Sequence, residues 1–280
     1  MQRTYLKVML SLVKEAGEVA LRLMDNSSPE LKPDASVITK ADKAISALAH
    51  QKLKSFIATG RHVLIDEEDP KKSGYQDDAF LDKTPFVWAI DPIDGTRAYA
   101  NRMSHYGISL GLIKERMPWM GAVYFPSLQE LFYCDGDKAY FIKDVFSWQE
   151  KRALITPRDE DISSRSVFIT SDEIGEKFLW KSSDCRLMVF ASAVSEFCWP
   201  TIGRGCGSLS RVHLWDFAGA WPIVEKAGLQ FRHIDTGKVL DRLEAGLFHQ
   251  DPSWKLKDYY ILSSERNFKP MRDRITIVSK

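Results

Sequence analysis

Apolar residues recur at helical spacing over residues 5–24, where Leu6, Met9, Leu10, Val13, Gly17, Ala20 and Leu23 share one side, so the spacing predicts an amphipathic helix. A second helix is predicted from about Ala41 to Phe56, with Ile45, Leu48, Ala49 and Leu53 on one face. Two short apolar runs, His62–Ile65 and Phe86–Ile90, each end in acidic residues and read as buried strands with functional groups at their C-terminal ends. The chain then changes character. Tyr106–Ile113, Trp119–Tyr124, Glu130–Tyr133 and Ala139–Ile142 are β-rich runs separated by turn residues, the pattern of an antiparallel meander.

The stretch 144–164 is polar with weak periodicity and marks a boundary between subdomains 1–150 and 151–280. Beyond it, Ser166–Thr170 and Leu187–Phe190 read as strands and Ser192–Thr201 as a helix. Asp216–Lys226 reads as a further helix ended by Gly228, with Pro222 expected to bend it by removing a backbone donor. Strands at Leu229–His233 and Tyr259–Leu262 follow, and the C-terminal Lys269, Arg272, Arg274 and Lys280 alternate with apolar residues as a solvated edge. The whole predicts a layered α/β protein with mixed sheets.

Composition narrows the function. The chain has 280 residues, 44% hydrophobic and 28% charged, with a formal net charge of +1, so no global field draws it to nucleic acid or an anionic membrane. The longest apolar stretch near the N-terminus, Val8–Val13, is too short for a membrane span. Cys134, Cys185, Cys198 and Cys206 show no metal-ligand spacing and are expected as reduced thiols in a cytoplasmic protein. The six histidines are scattered, without an HxH or HxxxH pair.

Acidic residues supply the candidate chemistry. Asp42, the run Asp66-Glu-Glu-Asp69, Asp91 with Asp94, and Asp216 stand out. A single surface carboxylate is ordinarily solvated, but Asp91 follows Val87-Trp-Ala-Ile90 directly and Asp216 sits between Leu214-Trp215 and Phe217-Ala218. A negative charge at a core edge needs a partner. Pro92 and Gly95 fit a tight turn that aims Asp91, Asp94 and the Ile93 carbonyl at one point. Oxygen ligands without imidazole or thiolate favour Mg²⁺, and the Gly95-Thr96 pair offers backbone N–H groups to a phosphate.

These segments resemble the inositol monophosphatase superfamily of lithium-sensitive, magnesium-dependent phosphatases. Trp88-Ala-Ile-Asp-Pro-Ile-Asp-Gly-Thr96 is similar to the family's central metal motif, and Ile65-Asp-Glu-Glu-Asp69 to its upstream Glu-Glu element. Leu214-Trp-Asp-Phe-Ala-Gly-Ala220 resembles its C-terminal Trp-Asp motif, and Ser36-Val-Ile-Thr-Lys-Ala-Asp42 its Val-Thr-x-x-Asp segment. The resemblance implies an αβαβα sandwich with two mixed sheets, a homodimer, and two or three Mg²⁺ ions. It further implies Glu67, Asp91 and the Ile93 carbonyl as ligands of a first metal, and Asp91, Asp94 and Asp216 as ligands of a second. Glu67 and Thr96 would activate the attacking water with support from Asp42; Gly95 and Thr96 would hold phosphate oxygens.

The departures bear on substrate. Asp66 stands where the family has glycine and is expected to point to solvent. Inositol-acting members carry a glutamate seven residues before Asp216, where this chain has Leu209. Asp94-Gly-Thr-Arg-Ala-Tyr99 is closer to the histidinol-phosphate phosphatase branch, and Glu67-Glu-Asp-Pro70 to the 3′-phosphoadenosine 5′-phosphate phosphatase branch. The family's substrate loop corresponds to Ala191-Ser192, so Ser192 and Ala193 are candidate substrate contacts; Arg204 or Arg211, from the loop of the glycine-rich turn Gly203-Arg-Gly-Cys-Gly207 before Asp216, is a further candidate, because arginine suits anionic groups. The expected reaction is hydrolysis of a small phosphorylated metabolite, nominally as an inositol-1-monophosphatase-like enzyme. The alternatives are histidinol phosphate, 3′-phosphoadenosine 5′-phosphate or fructose 1,6-bisphosphate as substrate, or a catalytically silent phospholigand-binding protein. Gly107-Ile-Ser-Leu-Gly111 matches a serine-hydrolase elbow, but its serine lies inside one continuous strand-like run.

Overall fold

The structure, a computed structural model, describes residues 2–26, 29–33, 35–69, 77–158, 160–171, 174–181 and 184–278; Pro70 and Lys280 lie outside them. The chain opens with helix α1 (Gln2–Leu23), the hairpin β1 (Glu30–Leu31) and β2 (Val37–Ile38), helix α2 (Lys40–Ile57) and strand β3 (His62–Asp66). Thr39 caps α2 by accepting from the Ala41 N–H, while its own N–H and hydroxyl donate to Asp42, the reciprocal pattern of a capping box. A short helix α3 (Asp78–Lys83) leads into β4 (Phe86–Asp94), and helix α4 (Thr96–Ala100) follows it.

The meander is β5 (Gly107–Lys114), β6 (Met117–Phe125), β7 (Glu130–Cys134), β8 (Ala139–Lys143) and β9 (Lys151–Ile155). Strand β9 falls in the stretch that looked aperiodic, because its residues Lys151–Leu154 are exposed at a sheet edge and carry no alternation. Strands β3 to β9 form one seven-stranded sheet in sequence order; β3 and β4 are parallel, the rest antiparallel.

The second half holds β10 (Ser166–Thr170), helix α5 (Ile174–Lys177), β11 (Phe178–Trp180), β12 (Cys185–Val189), helix α6 (Ala193–Cys198) and β13 (Gly207–Ser210). Helices α7 (Leu214–Ala218) and α8 (Trp221–Lys226), strands β14 (Gln230–His233) and β15 (Tyr260–Ser263), helix α9 (Glu265–Asp273) and strand β16 (Ile275–Ile277) complete it. A five-stranded sheet runs β12-β10-β13-β15-β14, parallel over its first three strands and antiparallel thereafter.

Three hydrophobic clusters show the layering. Met9, Val13, Ile45 and Leu53 of α1 and α2 pack with Trp88, Ile90, Leu110 and Met120 on one face of the large sheet. Val87, Ala89 and Val123 on its other face join Phe197, Phe217, Trp221 and Val224 of the inner helices and Phe231 and Leu262 of the second sheet. Phe168, Leu209 and Ile261 pack with Met271 of α9 beyond that sheet. The order helix, sheet, helix, sheet, helix is the expected αβαβα sandwich.

Two expectations about helices are corrected. The segment 214–226 is two helices, and Pro222 sits in the first turn of α8, where no backbone donor is required. The break lets Gly219 press on the large sheet: a Cβ on Gly121 would lie 2.0 Å from the Gly219 oxygen, and one on Gly111 would lie 2.4 Å from the Ala218 carbonyl carbon. Of the basic C-terminal residues, Lys269 is exposed as expected, but Lys269 and Arg272 lie on helix α9, whose Met271 is buried; Arg272 Nε donates to the Ile234 carbonyl at 2.8 Å, and Arg274, just past the helix, pairs with Asp184 at 2.7 Å. Among the described residues, no helix is long and apolar enough to cross a membrane.

Candidate active site

Strand β4 sends alternate side chains to opposite faces. Phe86, Trp88 and Ile90 join the α1–α2 cluster, while Val87 and Ala89 face the inner helices. The same period carries Asp91 toward the inner helices, where α7 delivers Asp216. Opposite Ser109, the pairing of β4 with β5 shifts between Asp91 and Asp94, a bulge at Pro92-Ile93 that re-aims the second carboxylate. One oxygen from each of Asp91, Asp94 and Asp216 lies within 4.8 Å of the others.

The partners of these carboxylates differ. Asp94 is held from α6: the Ala193 N–H donates to Oδ1 at 3.0 Å, and the Val194 N–H, at 3.1 Å, and the Ser192 hydroxyl donate to Oδ2. Asp216 Oδ2 accepts from the His213 N–H at 2.7 Å. Asp91 is 2% exposed, and its Oδ1 is buried without a hydrogen-bond partner. Burial, and then the charges of Glu67, Asp94 and Asp216, push the Asp91 carboxyl well above the usual carboxylate range. Burial and the Asp216 charge push Asp94 up to about 7; burial and Glu67 push Asp216 to about 7. Crowded oxygens with an orphan acceptor, and no imidazole or thiolate among them, fit a hard divalent cation.

Glu67 stands in the turn after β3, its N–H donating to the Ile90 carbonyl at 3.3 Å. Lys32, from the β1–β2 hairpin, reaches Glu67 Oε1 at 3.1 Å and Glu68 Oε1 at 2.8 Å. Burial works against the Lys32 ammonium, yet Glu67 and Glu68 together hold its pKa well above the ordinary value. Burial and the neighbouring Glu67 push Glu68 up to about 8. Lys32 was not legible as a site residue, because a lone lysine in a polar loop carries no signal until the hairpin folds over the Glu-Glu turn.

Gly95 caps α4 with φ +80°, and a Cβ there would lie 2.8 Å from the Ala191 oxygen and 3.0 Å from that of His105, so only glycine fits. The Thr96 hydroxyl is 2.9 Å from the Ile93 carbonyl and 3.4 Å from Asp42 Oδ1. Asp42 is fully buried, and burial together with Glu67 raises it to about 6 against the Thr39 hydrogen bonds. Lys32, Glu67, Asp91, Asp94, Thr96 and Asp216 line a cleft of about 310 Å³, and His213 and Ser253 complete its wall. An adjoining lobe of about 250 Å³ shares Glu67, Gly95 and Thr96 and is walled by Val37, Phe190, Val212, Ser171 and Glu196.

Other candidates land elsewhere. Asp66 does not point to solvent: it is 1% exposed and accepts from the Ser46 hydroxyl and the Glu68 N–H, because α2 lies directly beneath it. Arg204 is committed to Glu130 through two contacts of 2.6 Å, and Arg211 lies over the Tyr259 ring, outside the residues that line either part of the cleft. Ser109 is fully buried in β5 and donates to the Trp215 carbonyl at 3.0 Å, a strand serine rather than a nucleophile.

The sequence model of the inositol monophosphatase family matches residues 1–268. Inositol monophosphatase 1 of Solanum lycopersicum is 28% identical over 80% of this chain and 82% of its own length. The 3′(2′),5′-bisphosphate nucleotidase CysQ of Salmonella typhimurium is 27% identical over 84% of this chain and 93% of its own. The solved structure of the Thermotoga maritima IMPase TM1415 superposes with a TM-score of 0.70 at 19% identity, covering 98% of this chain and 96% of that one. With fold, carboxylate cluster and family match in agreement, the chain belongs to the inositol monophosphatase family and is a metal-dependent hydrolase of phosphate monoesters.

Proposed function

We propose that the enzyme binds Mg²⁺ through Glu67, Asp91, the Ile93 carbonyl, Asp94 and Asp216, and cleaves a small phosphate monoester by direct attack of water on phosphorus. The convergence of Asp91, Asp94 and Asp216, with Asp91 Oδ1 unpartnered, carries this reading. When bound, Mg²⁺ neutralises charge on the phosphoryl and departing oxygens and acidifies water. Asp91, buried beside Glu67, Asp94 and Asp216, would hold the cation together with them.

The protein's own groups do the rest. Glu67 and Thr96 orient the attacking water, and Glu67 accepts its proton. A threonine hydroxyl has one proton, so the Thr96 proton serves either Ile93 or Asp42. Committed to Asp42, it leaves the Ile93 carbonyl free for a cation and a Thr96 lone pair free to accept from water. The Gly95 and Thr96 amides hold phosphate oxygens, and Ser192 and Ala193 fix Asp94 while forming the wall toward the substrate alcohol.

The nominal substrate is an inositol-1-phosphate-like polyol ester. One observation favours 3′-phosphoadenosine 5′-phosphate instead: Phe190, Val37 and Val212 give the adjoining lobe an apolar wall, and in sequence Leu209 replaces the glutamate of inositol-acting members. The reading extends to a lithium-inhibited cytoplasmic homodimer whose segments 1–150 and 151–280 act as closely packed subdomains; the resemblance supports the dimer, and the four free cysteines suit a reducing compartment.

The test is phosphate release, with Mg²⁺ and with EDTA, from inositol 1-phosphate, histidinol phosphate, 3′-phosphoadenosine 5′-phosphate and fructose 1,6-bisphosphate. Mg²⁺-dependent release from one of them identifies the substrate. Equal release in EDTA sinks the mechanism.

A further inference from the structure

Helix α2 carries Asp42, Ser46 and His50 at intervals of four residues, which places them in one stripe along a single face. Each is spent on the site above. Asp42 meets the Thr96 hydroxyl at 3.4 Å. One turn on, the Ser46 hydroxyl donates to Asp66 Oδ2 at 2.6 Å, and after another turn His50 Nε2 lies 3.1 Å from the same oxygen. Asp66 Oδ1 in turn accepts from the Glu68 N–H at 3.0 Å, and the Asp66 carbonyl accepts from the Asp69 N–H at 3.2 Å. The backbone that carries Glu67 and Glu68 is therefore tied to α2 through one buried carboxylate.

We propose that Asp66 is a positioning residue: held by the Ser46 hydroxyl, with His50 beside it, it fixes the Glu67–Glu68 turn at the height of the metal-binding carboxylates. This rests on the reading of Glu67 as a metal ligand. Glu67 is joined to β4 by a single backbone hydrogen bond to Ile90, beyond the last paired residues of β3, and its side chain extends from a turn rather than a strand. A glycine at position 66 would leave that turn its full conformational freedom; the aspartate removes it by bonding forward to Glu68 and downward to α2. Because Asp42 on the same helix supports Thr96, the two groups that orient the attacking water take their separation from one rigid element. Small errors there are costly to catalysis.

The test is Mn²⁺ binding to the full-length enzyme by isothermal titration, alongside thermal melts in EDTA. Asp66→Ala is expected to weaken Mn²⁺ binding about tenfold, the lower end for loss of a group that orients a metal ligand. Asp66→Asn keeps an acceptor for the Glu68 N–H and is expected to stay within about threefold of the parent. A role confined to stability would lower both melting temperatures and leave the affinities in place. Glu67→Gln is titrated in parallel: if it binds Mn²⁺ as the parent does, the metal role of Glu67 fails. If Glu67→Gln weakens binding while Asp66→Ala stays within about twofold of the parent, the positioning role is overturned. Should Asp66→Ala not fold, Ser46→Ala decides, since it removes one donor and keeps a good helix former. It is expected to weaken binding about threefold, and unchanged affinity overturns the proposal.

Discussion

Replacing Asp91 by asparagine should abolish turnover and yet make the metal-free protein more stable. Asp91 is buried among Glu67, Asp94 and Asp216, and its Oδ1 has no donor. A carboxyl whose folded pKa stands above its unfolded value binds more protons folded than unfolded between the two, so the folded state loses stability as pH rises through that window. For Asp94 and Asp216 the window runs from 3.8 to about 7. One such shift corresponds to roughly 4 kcal/mol above neutrality, an upper bound because the carboxyls titrate together. Asparagine at 91 removes one charge and offers its neighbours an N–H₂ donor. Recovering about half of that bound, ~2 kcal/mol, raises the melting temperature by roughly 3–4 °C in a chain of this size. The assay is a thermal melt in EDTA at about pH 8 and pH 5, repeated with Mg²⁺, with phosphate release measured beside it. The variant should melt higher at the alkaline pH, by less at the acid pH, and gain nothing from Mg²⁺. A metal-free variant that melts at or below the parent at pH 8 would refute the repulsion argument, and undiminished phosphate release would refute the role of Asp91.

Gly95→Ala places a methyl group 2.8 Å from the Ala191 oxygen at φ +80°, so it should cost about 2–3 kcal/mol and lower kcat at least about tenfold, read by thermal melt and phosphate release. Burial holds His62 below its ordinary pKa, and Trp88 Nε1 donates to its Nδ1 at 3.1 Å. The unfolded chain then takes up a proton first as pH falls, so this contribution is complete above about pH 6.5 and lost below it, at up to ~1 kcal/mol per pH unit. Melts of Asp91→Asn with and without His62→Gln, between about pH 7.5 and 5.5, check this; equal pH slopes would contradict it. Ser109→Ala deletes the bond to the Trp215 carbonyl and should lower stability by about 1 kcal/mol while phosphate release persists within about threefold. Complete loss of activity with a normal melt would revive the nucleophile reading.

What the sequence made legible follows from how local each signal is. The β4 segment announces itself because its unbroken apolar run and its acidic end lie within ten residues, and α1 and α2 because their faces are regular. Asp66 misleads because the helix residues packed against it, Ser46 and His50, lie 20 and 16 residues upstream, and nothing near Asp66 records that contact. The division between α7 and α8 is hidden for the same reason: the pattern 214–226 is apolar almost throughout, and only the approach of Gly219 to Gly121 explains the break. Strand β9 and helix α9 are exposed or amphipathic elements whose charged residues mask their period. Lys32 and the Ser192–Val194 cradle of Asp94 are long-range pairings across the fold.

The approach of Gly111 and Gly121 to the α7–α8 joint has a consequence for how such an enzyme can diversify. Main chain rests on main chain there, so the distance between the sheet that carries Asp91 and the helix that carries Asp216 is gauged by backbone atoms. The lobe beside it is bounded on its apolar side by the side chains of Val37, Phe190 and Val212. Drift in sequence is thus free to resculpt what the enzyme accepts while leaving the spacing of its cation ligands untouched, and the glycines, though they contact neither metal nor substrate, are the residues that separate those two fates.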